Sequence, residues 1–263
     1  DEPHIVLQSG RKVPLRISGD LLYLDFLVPI RPTSVSVHPP DVAYAADFAT
    51  PSSHVYAVDI CAGTSSALRF HAENPSAKLL AIDILHPSDF RALLPEELRS
   101  RVTYVRCDVH RLTPTLYRSI LQRAWNITPS QVTHVHYSPM CETLSVADRD
   151  KSGHYYGVQP QSAKAIYHHQ CLERVLHTLT DTHRDPAKCL ITCENPLGRF
   201  RRLPLIKRIS AMPGWQLHQP ADHCSMRRDD EQLFPKKPTS WLTFGNMHSI
   251  ATLPTCNGHC SCM

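Results

Sequence analysis

The stretch VDICAGTSSAL, Val58–Leu68, decides the fold. It opens on a short apolar run that ends in an acid, turns through one glycine, and passes into residues suited to start a helix. Gly63 lets the backbone approach a ligand closely, and Thr64, Ser65 and Ser66 are able to cap the helix. Strand, tight turn and helix in this order form the first unit of a parallel α/β sheet. The stretch is not GxGxxG, and GxxxxGK[ST] occurs nowhere in the chain. A dinucleotide or a nucleotide phosphate is therefore not the leading ligand.

Outward from this unit the pattern repeats. Residues 55–59 read as the strand before the turn, and 66–73 as the helix after it. Strands come next over 78–84, which contains Asp83, and over 102–105, just before Asp108. A helix is expected over 115–125, then a strand over 132–137 that leads into Ser138-Pro139-Met140-Cys141. Residues 161–180 carry Ala165, Tyr167, Leu172, Val175 and Leu176 at helical spacing. A fifth strand over 189–193 precedes a Glu194-Asn195-Pro196 turn. Strands alternating with helices predict an α/β fold, a mostly parallel sheet with helices on both faces. Ligands in such sheets bind beyond the carboxyl ends of the strands.

Residues 1–54 hold Pro29, Pro32, Pro39, Pro40 and Pro51 and read as an N-terminal extension or cap. Residues 55–210 form the expected catalytic domain. Residues 211–263 are expected to pack on it as a short C-terminal segment facing the substrate.

Composition narrows the class. With 42% hydrophobic and 20% charged residues the chain is an ordinary globular protein. A net charge of +4 and a pI of about 8.5 permit an anionic partner without requiring one, since domains that bind nucleic acid through charge alone have a pI above about 9. No run approaches the ~18 apolar residues of a membrane span; the best, Leu21–Ile30, contains Asp25. The start, Asp1 to His4, lacks the pattern of a secretory signal. An intracellular setting, cytoplasmic or nuclear, is expected, with no membrane partner. The 10 Cys and 17 His then read as reduced thiols, ligands or a nucleophile.

The acids at the strand ends suggest a cofactor. Asp83 is placed to accept the hydroxyls of a ribose, and Asp108 an adenine amino hydrogen. One glycine in the turn and two later acids suit S-adenosylmethionine, which has an adenosine and no phosphate. The plainer alternative is that these acids cap strand ends.

Three further motifs carry chemistry: HYSPMCETLS (136–145), ITCENPLGRF (191–200) and KKPTSWLTFGN (236–246). With DICAGTSS, they make the chain resemble the cytosine-5 DNA methyltransferases, and within them a compact, phage-type branch. There a Ser-Pro-Pro-Cys loop, a Glu-Asn-Pro turn and a Lys-Pro-Thr segment ending in Asn occur in this order. The resemblance spans about residues 57–246. It implies a methyltransferase-like, Rossmann-type fold, S-adenosylmethionine as cofactor and nucleic acid, DNA, as partner. It assigns Asp59, Ile60, Cys61, Ala62, Gly63 and Thr64 to the methionine part of the cofactor. Asp83 and Ile84 fall to the ribose, Asp108 and Val109 to the adenine, and Ser138 and Pro139 to the cofactor's edge. Cys141 is the implied nucleophile and Glu194 the group that grips the base. Asn195, Pro196, Arg199, Arg201, Arg202, Lys237 and Thr239 are implied to face the substrate.

The sequence departs from that pattern in places. Met140 replaces the second proline of the loop, and Glu142 stands where a glutamine often succeeds the nucleophile. Little chain remains after Pro196, so target specificity is expected to be short, delegated to a partner protein, or absent.

The chemistry explains the residue types. Carbon 5 of cytosine is a poor nucleophile until a thiolate adds to carbon 6. A thiol near its ordinary pKa is only a few per cent ionised near pH 7, and a strand-end loop beside a helix N-terminus would raise that fraction. A carboxyl with a raised pKa, the role given to Glu194, offsets charge at nitrogen 3. In duplex DNA the base must first leave the stack.

Two rivals stand beside this reading. Amino-methyltransferases carry Asp/Asn/Ser-Pro-Pro-Tyr at the same strand end, where a proline carbonyl holds an exocyclic amine; Cys141 in the aromatic slot disfavours them. The other is a non-catalytic nucleic-acid-binding protein that keeps the fold. The run Arg199-Phe200-Arg201-Arg202 reads as phosphate contacts or as a solvated loop, with Arg227, Arg228, Lys236 and Lys237 as second candidates. Cys224, Cys256, His259, Cys260 and Cys262 are dense enough for zinc, the alternative being an oxidisable frayed terminus. Cys61, Cys107, Cys171, Cys189 and Cys193 read as core fillers.

Overall fold

The computed structural model describes residues 4–6, 12–18, 21–24, 55–63, 66–71, 74–144, 153–218, 221–222 and 238–245. Near the start, β1 (His4–Val6), β2 (Lys12–Ser18) and β3 (Leu21–Leu24) form a three-stranded antiparallel sheet.

The main sheet begins with β4 (Tyr56–Ile60), β5 (Lys78–Asp83), β6 (Val102–Arg106) and β7 (His134–Tyr137). A small hairpin, β8 (Tyr155–Tyr156) with β9 (Gln159–Pro160), stands apart from it. The sheet continues with β10 (Leu190–Pro196), β11 (Trp215–Leu217), β12 (Ala221–Asp222) and β13 (Pro238–Phe244). Its order is β11-β13-β10-β7-β4-β5-β6, with β12 also on β13. Strands β4, β5, β6, β7 and β10 are parallel, and β13 runs antiparallel between β10 and β11. This is the mostly parallel, Rossmann-type α/β sheet expected from the sequence. The order reverses between β4 and β7, and such a switch point opens a crevice at the strand ends.

Burial is explained by the sequence. Residues 57–60 of β4 and 79–83 of β5 are buried throughout, as parallel strands covered on both faces require. On one face Val58, Ile60, Leu80, Ile82, Val135, Tyr137, Ile191 and Cys193 join the apolar residues of α3 (Pro114–Trp125) and α4 (Ala163–Thr182). The short α5 (Pro204–Ser210) adds Leu205, Ile206 and Ile209. On the other, Ala57, Leu79, Ala81, Val102 and Tyr104 pack against α1 (Pro87–Leu93) and α2 (Glu96–Arg99). Helix starts are capped by side chains: Thr113 accepts from the Leu116 N–H at 3.1 Å, and Ser162 from the Ala165 N–H at 3.1 Å. Asn126, in the left-handed region at φ 58°, closes α3. Among the described residues, no helix is long and apolar enough to cross a membrane.

The structure corrects several sequence expectations. Glu194-Asn195-Pro196 is not a turn after the strand but the end of β10, with Asn195 opposite Ser240 and Pro196 opposite Thr239. A proline fits there because the terminal position demands least of its missing N–H. The segment after residue 66 forms a 3-10 turn, Ser66–His71, rather than an α-helix. Helices α1 and α2, and strands β11 and β13, had no counterpart in the sequence reading.

Candidate active site

The turn after β4 is held by β5. Cys61 and Gly63 both take left-handed backbone, at φ 56° and 50°. Glycine does so freely, whereas the Cys61 β-carbon costs about 1–2 kcal/mol. The Cys61 N–H donates to the Ile82 carbonyl at 2.9 Å. Asp83 then fixes the turn: Oδ2 accepts from the Gly63 N–H at 3.0 Å and Oδ1 from the Leu85 N–H at 3.1 Å. Asp83 thus shapes the turn in addition to the ribose role expected of it. Beside it, Ile84 is 48% exposed.

Asp108 caps a short turn that begins with the buried Val109. Its Oδ1 accepts from the His110 N–H at 3.0 Å and from the Tyr167 hydroxyl at 2.8 Å. Asp59 is only 2% exposed, and burial, with the nearby Asp83 charge as the lesser cause, raises its pKa well above the usual carboxylate range. Its Oδ1 has no hydrogen-bond partner among the described residues. A β-carbon on Gly63 would meet nothing within 4 Å. An open turn backed by a buried unpaired acceptor fits the amino-acid end of S-adenosylmethionine. Thr64 lies outside the described residues.

The second half of the site gathers the ends of β7, β10 and β13. The Ser138 N–H donates to the Ile60 carbonyl at 3.2 Å, joining the Ser-Pro-Met-Cys loop to β4. Asn195 Nδ2 donates to the Pro139 carbonyl at 3.3 Å, joining the same loop to the strand that carries Glu194. The Thr239 hydroxyl donates to Glu194 Oε1 at 3.3 Å. Cys141 is half-buried, and its carbonyl accepts from the Leu144 N–H at 3.0 Å. It leads into a turn over 142–144.

Each residue of that turn is tied down. Glu142 pairs with Lys164 on α4, which holds its carboxyl below the ordinary value. The Thr143 hydroxyl lies 3.1 Å from His168 Nδ1, and the Leu144 carbonyl accepts from the Arg199 N–H at 2.8 Å. Of the three arginines expected at phosphates, Arg199 lies over the Tyr155 ring at 5.3 Å and Arg201 donates to the His218 carbonyl at 2.8 Å. Arg202 is exposed. Lys237 lies outside the described residues.

One face of the sheet is polar here. His134 and His136 of β7, Thr192 and Glu194 of β10, and Thr239, Trp241 and Thr243 of β13 share a side, because Thr192 pairs with both His136 and Thr243 and Glu194 pairs with Trp241. His136 is pinned at both nitrogens: Nδ1 lies 2.8 Å from the Thr192 hydroxyl and Nε2 2.8 Å from the Ser138 hydroxyl. Burial lowers its pKa to about 4 against an opposing pull from Glu194, so the ring is neutral.

No protein-family profile matches the chain, and no curated protein matches it. Solved structures with a similar fold include a protein assigned as a DNA modification methyltransferase encoded within an E. coli prophage, at 10% identity and a TM-score of 0.42. The alignment covers 72% of this chain and 46% of that one. TrmK of M. capricolum, in complex with S-adenosyl-homocysteine, aligns at 8% identity and a TM-score of 0.38, over 73% of this chain and 62% of that one. A human methyltransferase 10 domain containing protein aligns at 10% identity and a TM-score of 0.41, over 74% and 72%. The chain thus spans less than two thirds of the length of the first two.

Sequence reasoning missed what the histidines do. Seven of the described histidines lie within hydrogen-bond distance of hydroxyl groups: His86 with Ser88, His134 with Thr133, His154 with Ser162, His183 with Tyr117 and His218 with Thr243, besides His136 and His168. The only signal was local, a Ser or Thr one or two positions away in three of these cases. Cys107, Cys171, Cys189 and Cys193 are buried as expected, and Cys61 is half-buried. The zinc candidates Cys224, Cys256, His259, Cys260 and Cys262 lie outside the described residues. Among the described residues no three His, Cys, Asp or Glu side chains form a metal site.

Proposed function

We propose that the chain transfers a methyl group from S-adenosylmethionine to carbon 5 of cytosine in nucleic acid, most simply DNA, through a covalent cysteine adduct. The observation that carries this reading is the junction of Asn195 Nδ2 with the Pro139 carbonyl, 3.3 Å apart. It ties the loop bearing Cys141 to the strand bearing Glu194, beside the end of β4.

The turn Asp59–Gly63, with Asp83 and Asp108, would hold S-adenosylmethionine, which supplies an electrophilic methyl group when bound. The chain's own side chains prepare the acceptor. The Cys141 thiolate adds to carbon 6 of the base, and the electron pair released into the ring makes carbon 5 nucleophilic. Glu194 holds a proton at nitrogen 3 and offsets the charge that gathers there. Removal of the carbon 5 proton after transfer lets the Cys141 thiolate leave and restores the ring. Arg202 is the exposed cation best placed to meet a phosphate.

The amino-methyl alternative is disfavoured by Cys141, which stands in the slot where those enzymes carry an aromatic residue. Nucleoside mass spectrometry after incubation with S-adenosylmethionine and DNA or RNA tests the proposal. The expected product is 5-methylcytosine; N4-methylcytosine, or no methylated base while the cofactor still binds, would overturn it.

A further inference from the structure

The indole N–H of Trp241 is buried and has no hydrogen-bond partner among the described residues. A buried donor left unpaired costs about 1–3 kcal/mol, and native proteins keep few of them. No neighbour on its strand face relieves it. The Trp241 ring lies 6.3 Å from the His136 ring, but both His136 nitrogens are engaged by Thr192 and Ser138. The Thr239 hydroxyl on the same face donates to Glu194. Trp241 is the direct cross-strand partner of Glu194, so the two side chains rise together from adjacent strands.

That pairing places a fixed donor beside a carboxyl. The Watson–Crick edge of cytosine presents an amino donor, the acceptor nitrogen 3 and the acceptor 2-oxo group in sequence. A carboxyl engages the first two and leaves the third without a donor. The arginines nearest in sequence do not offer an obvious one, since Arg199 covers Tyr155 and Arg201 holds the His218 carbonyl. We infer that Trp241 is a specificity residue whose Nε1–H donates to the 2-oxo group of the target pyrimidine. Glu194 then selects cytosine, and Trp241 requires a pyrimidine with that oxygen. This rests on the base-reading role proposed for Glu194.

The test is a chemical double-mutant cycle read as binding, by fluorescence anisotropy of short DNA duplexes with the target base opposite an abasic site. One duplex carries cytosine. The other carries an aminopyridine C-nucleoside, which keeps the ring nitrogen and amino group and has hydrogen in place of the 2-oxo. The intact protein should bind the aminopyridine duplex about tenfold more weakly, which corresponds to ~1.4 kcal/mol. Trp241→Phe, which keeps a ring and removes the N–H, should lose about tenfold on cytosine and nothing further on the aminopyridine. The free variant should melt no lower than the intact protein, because an unpaired donor has been removed.

If Trp241→Phe still discriminates the two bases, or if the intact protein does not, the inference fails. A uniform loss on both duplexes with a lowered melting temperature also overturns it, as that marks a packing role. Formation of 5-methylcytosine by the intact protein is scored separately. Its absence alongside a preserved cycle would sink the transfer reaction and leave the Trp241 contact standing.

Discussion

On the sheet face that carries Glu194, strands β4–β6 and strands β7, β10 and β13 present opposite chemistry. The first group shows Ala57, Leu79, Ala81, Val102 and Tyr104, closed over by α1 and α2, with Asp59 and Asp83 on the same side at the strand ends. The second shows His134, His136, Thr192, Glu194, Thr239, Trp241 and Thr243. The two halves also differ in how their polar atoms are satisfied. In the first, Asp83 joins two backbone N–H groups with one carboxylate. In the second, side chains join one another. Each half keeps buried polar atoms without a partner among the described residues, Asp59 Oδ1 in the first and Asn195 Oδ1, Ser240 Oγ and Trp241 Nε1 in the second. The contrast separates a backbone turn fixed by one carboxylate from a sheet face whose side chains fix one another.

The comparison breaks most sharply at Cys141. Cys141→Ser should reduce 5-methylcytosine formation at least ~10³-fold and leave S-adenosyl-homocysteine binding, measured by calorimetry, within twofold. Loss of cofactor affinity as well would mean that the halves are not independent. Asp83→Asn attacks the other half. It replaces one of two charge-assisted acceptors by a donor and should cost about 1.5–3 kcal/mol in urea unfolding, with weaker cofactor binding.

A third prediction sharpens the polar half through pH. Burial lowers His134, His136 and His183 to about 4, against about 6.5 in an unfolded chain. Between those values the unfolded state binds more protons, so stability should fall as pH drops from about 6.5 toward about 4. The raised carboxyl of Asp59 works in the opposite sense, losing stability as pH rises above its ordinary value. His136→Asn should therefore flatten the acid-side fall in melting temperature; an unchanged slope would show that His136 is not a main contributor. The smallest effect is expected at Lys164. Its pair with Glu142 is solvent-exposed, so Lys164→Met should change stability by no more than ~1 kcal/mol and slow transfer less than tenfold. A larger loss of transfer would show that this tie sets the position of Cys141.

The parallel strands were legible because each is a short apolar run bounded by a turn or an acid, and α3 and α4 because their apolar spacing is regular. β13 was not, since Pro238–Phe244 opens on a proline and mixes polar and apolar residues without alternation, and it gains its meaning only when threaded beside β10. Glu194-Asn195-Pro196 misled for a related reason: proline and asparagine favour turns locally, and here tertiary pairing keeps them extended. The short helices α1 and α2 carry too few turns for periodicity to show. Within the candidate site, residue types and order marked Cys141, Glu194 and the acids. The second use of Asp83, the histidine–hydroxyl pairs and the orphaned indole all depend on contacts between distant segments, which spacing along a chain does not encode.

The insertion of β13 between β10 and β11 has a consequence for biosynthesis. Strands β5, β6, β7 and β10 can pair as they leave the ribosome, since each joins a neighbour already made. Thr239 and Trp241, which flank Glu194, come 45 or more residues after it, and β11 can join the sheet only through β13. Under the proposed function, a chain halted before residue 238 would have the turn for a cofactor and Cys141, yet lack one wall of the proposed base site. Nascent protein would then be able to hold a cofactor before it could read a base.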